Sequence, residues 1–307
     1  MNAIFVNEKN GLLRSGWRAS IFLFVYVFVV ALLAATALAL FAATGIGTTA
    51  GTGAYFAANS LSSLASAILL GWLCGKFLEK LPYRALGTAF TDGWLKHFFL
   101  GSIIGAATLA FAVLVGSIFG GLRFNVNDAA LPDVVSSIVY SFAVFAVAAA
   151  FEEALFRGYF LQTFARSGLA WLAILLTSVF FGAVHAGNPN ANVISTANTV
   201  LAGVWFSIAY LKTRDLWFVW GLHLMWNWMQ GSFFGIEVSG LKSISETPLL
   251  KEIDSGPTWL TGETYGIEGG ILCTVAIVIS MAAIWFAPFA KPDPSIPTES
   301  KPCAKKQ

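Results

Sequence analysis

Eight stretches of this chain run for about the length of a membrane span with almost no charge: roughly 19–44, 54–76, 97–120, 134–157, 169–186, 191–211, 216–235 and 267–288. No other feature constrains the fold as strongly. An apolar helix of about 20 residues crosses a hydrocarbon core, and lipid offers no hydrogen bonds to a backbone that is not helical or closed into a barrel. The predicted fold class is therefore an all-α membrane protein, a polytopic bundle of about eight transmembrane helices. With 57% hydrophobic and 11% charged residues and a mean hydropathy of +0.73, a soluble globular domain or a nucleic-acid-binding module is excluded. The first stretch is too long for a secretory leader and has no small-residue cleavage pattern after it, so it reads as a retained helix.

The basic residues set the expected orientation. With the N-terminus inside, the inner segments hold fifteen of the eighteen Lys and Arg, leaving only Arg123, Lys242 and Lys251 outside. Such asymmetry over an even number of spans predicts that both termini are cytoplasmic. No internal repeat is visible, so residues 1–290 read as a single bundle. The proline-rich tail 291–307 reads as a disordered cytoplasmic extension. Residues 236–266 form the one long connection, with five acidic residues against two lysines, and are expected outside as an ordered cap over the bundle mouth or as a gate for substrate. Cys74, Cys273 and Cys303 lie too far apart to suggest a disulfide framework or a thiolate metal site, and Cys303 is not placed for prenylation.

Charge within the membrane is costly and tends to mark function. The fourth stretch ends AAAFEEALFRGYF. Glu153 and Arg157 are spaced i, i+4 and can pair along one face, whereas Glu152 points about 100° away and escapes that pair. The face of Glu152 carries Phe145, Ala148, Ala149 and Phe156, and its alanines let a neighbouring helix come close. The fifth stretch ends FFGAVHAGNPN, with Phe181 one turn before His185. A turn near Ser167 and Gly168 sets Glu152 and His185 at equal depth in an antiparallel hairpin. The seventh stretch, GLHLMWNWMQG, lines up His223, Asn227 and Gln230 as one polar stripe. His97, at the edge of the third stretch, reads as an ordinary interfacial residue.

Each of these alone has a structural explanation, as an interhelical hydrogen bond or an ion pair. Together they contain a base, two imidazoles and an amide donor. Amide hydrolysis needs a base that activates water, a group that orients it, and donors for the oxyanion. Glu152 with His185 meets the first two needs, and His223 with Asn227 the third. A proton or ion relay in a transporter would use the same side chains, although no inverted repeat or broken helix pair accompanies them. A non-catalytic scaffold or immunity protein is the third reading.

EEALFR at 152–157, FGAVH at 181–185 and HLMWN at 223–227 resemble, in order, the EExxxR, FxxxH and HxxxN motifs of the CPBP intramembrane proteases, the family of the CaaX prenyl endopeptidases and of bacterial relatives linked to bacteriocin immunity. The resemblance covers about residues 134–230. It implies an eight-helix glutamate-dependent endopeptidase in which Glu152 and His185 activate water, His223 and Asn227 bind the oxyanion, and Glu153 and Arg157 support them. It implies no cofactor. A zinc-dependent version with Glu152, His185 and His223 as ligands is the alternative, although Asn227 stands where a second helix-borne histidine would serve a metal. The implied setting is a bacterial cytoplasmic membrane and the implied partner a membrane-associated protein or peptide substrate. The asparagines of GNPNANVISTANT, residues 187–199, suggest a wet cavity beside His185 or the capping of the sixth helix. SGPTWLTGETYGIEGG, 255–270, carries no chemistry that the sequence assigns.

Overall fold

The computed structural model describes residues 2–8, 10–44, 52–241, 244–288 and 291–292. Lys9, Lys242 and, of the expected tail 291–307, residues 293–307 with Cys303 lie outside the described residues.

Eight main helices are present among the described residues: α1 (Ser15–Thr44), α2 (Thr52–Leu78), α3 (Trp94–Val115), α4 (Leu131–Glu153), α5 (Ala170–His185), α6 (Val193–Thr213), α7 (Leu216–Trp228) and α8 (Ile271–Phe286). Each coincides with one apolar stretch of the sequence. Five helical segments are long and apolar enough to cross a membrane: Ser15–Ala37, Tyr55–Leu78, Trp94–Gly120, Leu131–Ala165 and Val193–Thr213. The 16-residue α5 and α8 span only about 24 Å at 1.5 Å per residue, less than a typical hydrocarbon core. The chain is an all-α integral membrane protein. Large apolar side chains such as Phe24, Phe28, Ile103 and Phe119 lie on its outer surface, where lipid receives them.

Local chemistry sets the helix ends that matter for the site. Pro132 and Asp133 open α4, proline where no amide donor is needed and a carboxylate against the helix N-terminus. Asn192 caps α6 by accepting from the amides of Ile194 and Ser195, and the Ser195 hydroxyl accepts in turn from the Asn192 amide. Asp215 caps α7 through the Trp217 amide. Its other oxygen accepts from His97 Nδ1 at 2.7 Å. His97, at the edge of the third span as the sequence suggested, is thus also buried and hydrogen-bonded to the start of α7; a partner 118 positions away is invisible to local pattern.

After Glu153 the α4 helix loosens into a π-helical stretch, Ala154–Phe160, and Gly158 departs from helical geometry at ψ −115° before Leu161–Ala165 resumes the helix. The antiparallel hairpin of the sequence reading is bent between the site and the turn, which Gly168 makes at φ +77°. α3 and α7 pack backbone to backbone. A Cβ on Gly105 would lie 2.2 Å from the Leu222 carbonyl oxygen, and one on Gly221 2.2 Å from that of Phe98.

The 236–266 connection contains a strand that the sequence did not suggest. β2 (Leu250–Asp254) pairs antiparallel with β1 (Leu122–Val126), Phe124 opposite Glu252. At the opposite end of the bundle, Arg18 of α1 and Arg166 both grip Glu79, which follows α2. Arg166 donates from Nε and Nη2 at 3.1 and 2.9 Å. Burial pushes the Glu79 carboxyl toward higher pKa, but the two guanidinium groups outweigh it and hold the value below the ordinary glutamate range.

Candidate active site

The three charged motif elements converge between α4, α5 and α7. Glu153 Oε1 accepts from Arg157 Nη1 at 3.1 Å and from His223 Nδ1 at 2.8 Å. The expected i, i+4 pair is thus present, with an imidazole as a third member. Arg157 donates its Nη2 to the Gly203 carbonyl of α6 at 3.1 Å, and its guanidinium stacks 4.7 Å from the Phe181 ring centre and 5.1 Å from that of Phe206. Aromatic faces and a carboxylate together offset the desolvation of this charge. Glu153 and Arg157 are 1% and 0% exposed, whereas Glu152 and His185 keep 18% and 17% of their side-chain surface. The first pair is sealed from solvent; the second is reachable.

Glu152 faces both histidines. Its Oε2 lies 3.8 Å from His185 Nε2 and 3.9 Å from His223 Nε2. These separations are too long for direct hydrogen bonds, and Oε2 is buried with no hydrogen-bond partner among the described residues. The ring orientations are fixed from behind. His185 Nδ1 donates to the Phe181 carbonyl at 2.8 Å, and His223 Nδ1 donates to Glu153. The Phe206 ring stacks on His223 at 4.6 Å and 21°. Both Nε2 atoms are thereby left facing Glu152.

These side chains open on a cavity of about 470 Å³ that Asn227 also lines. Gln230, the last member of the predicted stripe, does not reach it. It is fully buried and donates to the Glu237 carbonyl at 2.6 Å, holding the 236–266 segment against α7. Of the asparagines, Asn188 and Asn198 line the cavity. Both also tie down its roof: Asn188 donates to the Ser239 carbonyl, and Asn198 to the carbonyls of Glu268 and Gly270. The cavity and the Asn192 cap coexist.

One charged cavity residue escaped the sequence reading. Glu268, within the stretch to which no chemistry was assigned, faces the same space. Its Oε1 accepts from Trp226 Nε1 at 3.0 Å, and its Oε2 accepts from the Ser239 amide and hydroxyl at 2.6 and 2.7 Å. Burial first, and then the charge of Glu268, lifts the neighbouring Tyr265 hydroxyl to a pKa of about 12. A lone acid between glycines just before an apolar helix was the available signal.

The fold and this site define a class: an integral membrane protein of helical type with a carboxylate–imidazole centre opening on an internal cavity. Residues 134–229 match the family model described as Type II CAAX prenyl endopeptidase Rce1-like. That match bears out the family resemblance read from the three motifs, all of which lie within it. No curated protein matches the chain.

Proposed function

We propose that the protein is an intramembrane endopeptidase of the glutamate type. The observation that carries this reading is the position of Glu152 Oε2, unpartnered between two imidazole Nε2 atoms whose other nitrogens are already committed. The 3.8 Å between Glu152 and His185 is a separation that one water bridges at ordinary hydrogen-bond lengths. That water donates one hydrogen to the carboxylate and the other to His185 Nε2, which has a free lone pair because Nδ1 carries the proton. As the water oxygen attacks a peptide carbonyl, Glu152 takes its proton and later hands it to the departing amine. With Nδ1 already donating to Glu153, His223 serves the oxyanion from Nε2 when that atom also carries a proton, and the Asn227 amide is the second donor.

We read the centre as metal-free. In support, Asn227, a poor metal ligand and a good oxyanion donor, stands where a second helix-borne histidine would serve a metal. All eight helices are taken to cross the membrane, with the Arg18–Glu79–Arg166 end in the cytoplasm. The membrane is taken as a bacterial cytoplasmic membrane, and the partner as a membrane-associated protein or peptide. The test compares protein termini in membranes carrying wild type or Glu152→Gln at equal expression. Termini that need Glu152 and persist under a chelator are expected. Loss under chelator would turn the reading to a zinc enzyme holding the ion through Glu152, His185 and His223, and coincident profiles would end the protease reading.

A further inference from the structure

We propose that Glu268 selects what enters the cavity, favouring peptide segments with a lysine or arginine near the scissile bond over segments bearing a carboxylate there; this rests on the endopeptidase reading. Trp226, which donates to Glu268, immediately precedes Asn227 on α7, and the carboxylate lines the same cavity as His223 and Asn227. All three of its hydrogen bonds come from neutral donors, an indole, an amide and a hydroxyl. They fix its direction without neutralising it, and a carboxylate has lone pairs for further donors.

The rest of the cavity wall makes that charge count. Glu152 is a second carboxylate in the same space, and among the described residues no lysine or arginine lines it. The one buried guanidinium close to the site, Arg157, is committed to Glu153 and to the Gly203 carbonyl behind the histidines. A peptide presenting a carboxylate, whether a side chain or a free C-terminus, would lose its hydration and meet like charge with no fixed cation to receive it. A cationic side chain would find Glu268 already oriented. In a site shielded from water such differences are larger than at a surface.

The test uses the full-length protein in lipid nanodiscs and a set of fluorophore-labelled apolar ten-residue peptides blocked at both ends. Lysine, norleucine or glutamate is placed in turn at each central position. Binding is read by anisotropy and cleavage by mass spectrometry. For at least one position wild type should bind the lysine peptide about tenfold more tightly than the glutamate peptide. Glu268→Gln should level that preference and Glu268→Lys reverse it. The wild-type ratio decides the sign even where a variant fails to fold. Equal binding of lysine and glutamate peptides, no binding of any peptide, or an unchanged preference in folded Glu268→Lys overturns the proposal. Cleavage without charge preference removes the role of Glu268 and leaves the endopeptidase. Charge-selective binding without cleavage does the reverse.

Discussion

Replacing Glu152 by glutamine preserves shape and removes the carboxylate oxygen aimed at both histidine Nε2 atoms. Peptide cleavage should fall by about 10²–10⁴-fold, the usual contribution of a general base, while thermal unfolding in detergent moves little because that oxygen has no partner to lose. Glu153→Gln should behave differently. It strips the counter-charge from the fully buried Arg157 and leaves His223 Nδ1 with a neutral acceptor in place of a carboxylate, and breaking a buried pair on one side costs about 3–5 kcal/mol. Loss of thermal stability together with activity is the expected outcome; activity lost at unchanged stability would mean that Glu153 acts on His223 alone. That Glu153 pairs with Arg157 while the adjacent Glu152 does not was legible in the sequence from the 100° between successive helix positions. The bond from His223 to Glu153 was not, because periodicity along one helix says nothing about which neighbour fills the space opposite.

Among the elements, the tight crossing of α3 and α7 sets the position of His223. Gly105→Leu would drive a side chain into the Leu222 backbone, one residue from His223. The helices must separate by more than side-chain repacking allows, so a loss above about 2 kcal/mol is expected, read as a lowered unfolding temperature in detergent. Gly158→Ala, whose Cβ meets only Leu86 at 3.7 Å, should fold and tests whether the bend beyond Glu153 depends on glycine. Helix positions were readable because a run of about 20 apolar residues has one solution in lipid. The β1–β2 pair was not. Its strands are five residues each and meet across more than a hundred residues, so neither carries a signal of its own. Glu268 was missed for the same reason, since its importance comes from the cavity and not from the glycines beside it.

For the whole molecule, the junction of Arg18, Glu79 and Arg166 joins the first two helices to the hairpin that bears Glu152 and His185. The depressed pKa of Glu79 gives this junction a pH signature. Its stabilisation is fully present above the ordinary glutamate value and is lost as pH falls below that value through the lower value of the folded state. Unfolding temperature should therefore drop with acidification below about pH 4, and Glu79→Gln should flatten that limb while destabilising the protein at neutral pH by about 3–5 kcal/mol. A wild-type acid limb unchanged in Glu79→Gln would assign it to other carboxylates. The same junction also orders events in time. Glu79 leaves the ribosome with Arg18 already made, but Arg166 lies 87 residues downstream, about 4 to 17 s later at ordinary elongation rates. Arg18 is thus the one of the two partners already made when Glu79 emerges, and the hairpin that bears Glu152 and His185 reaches the junction later.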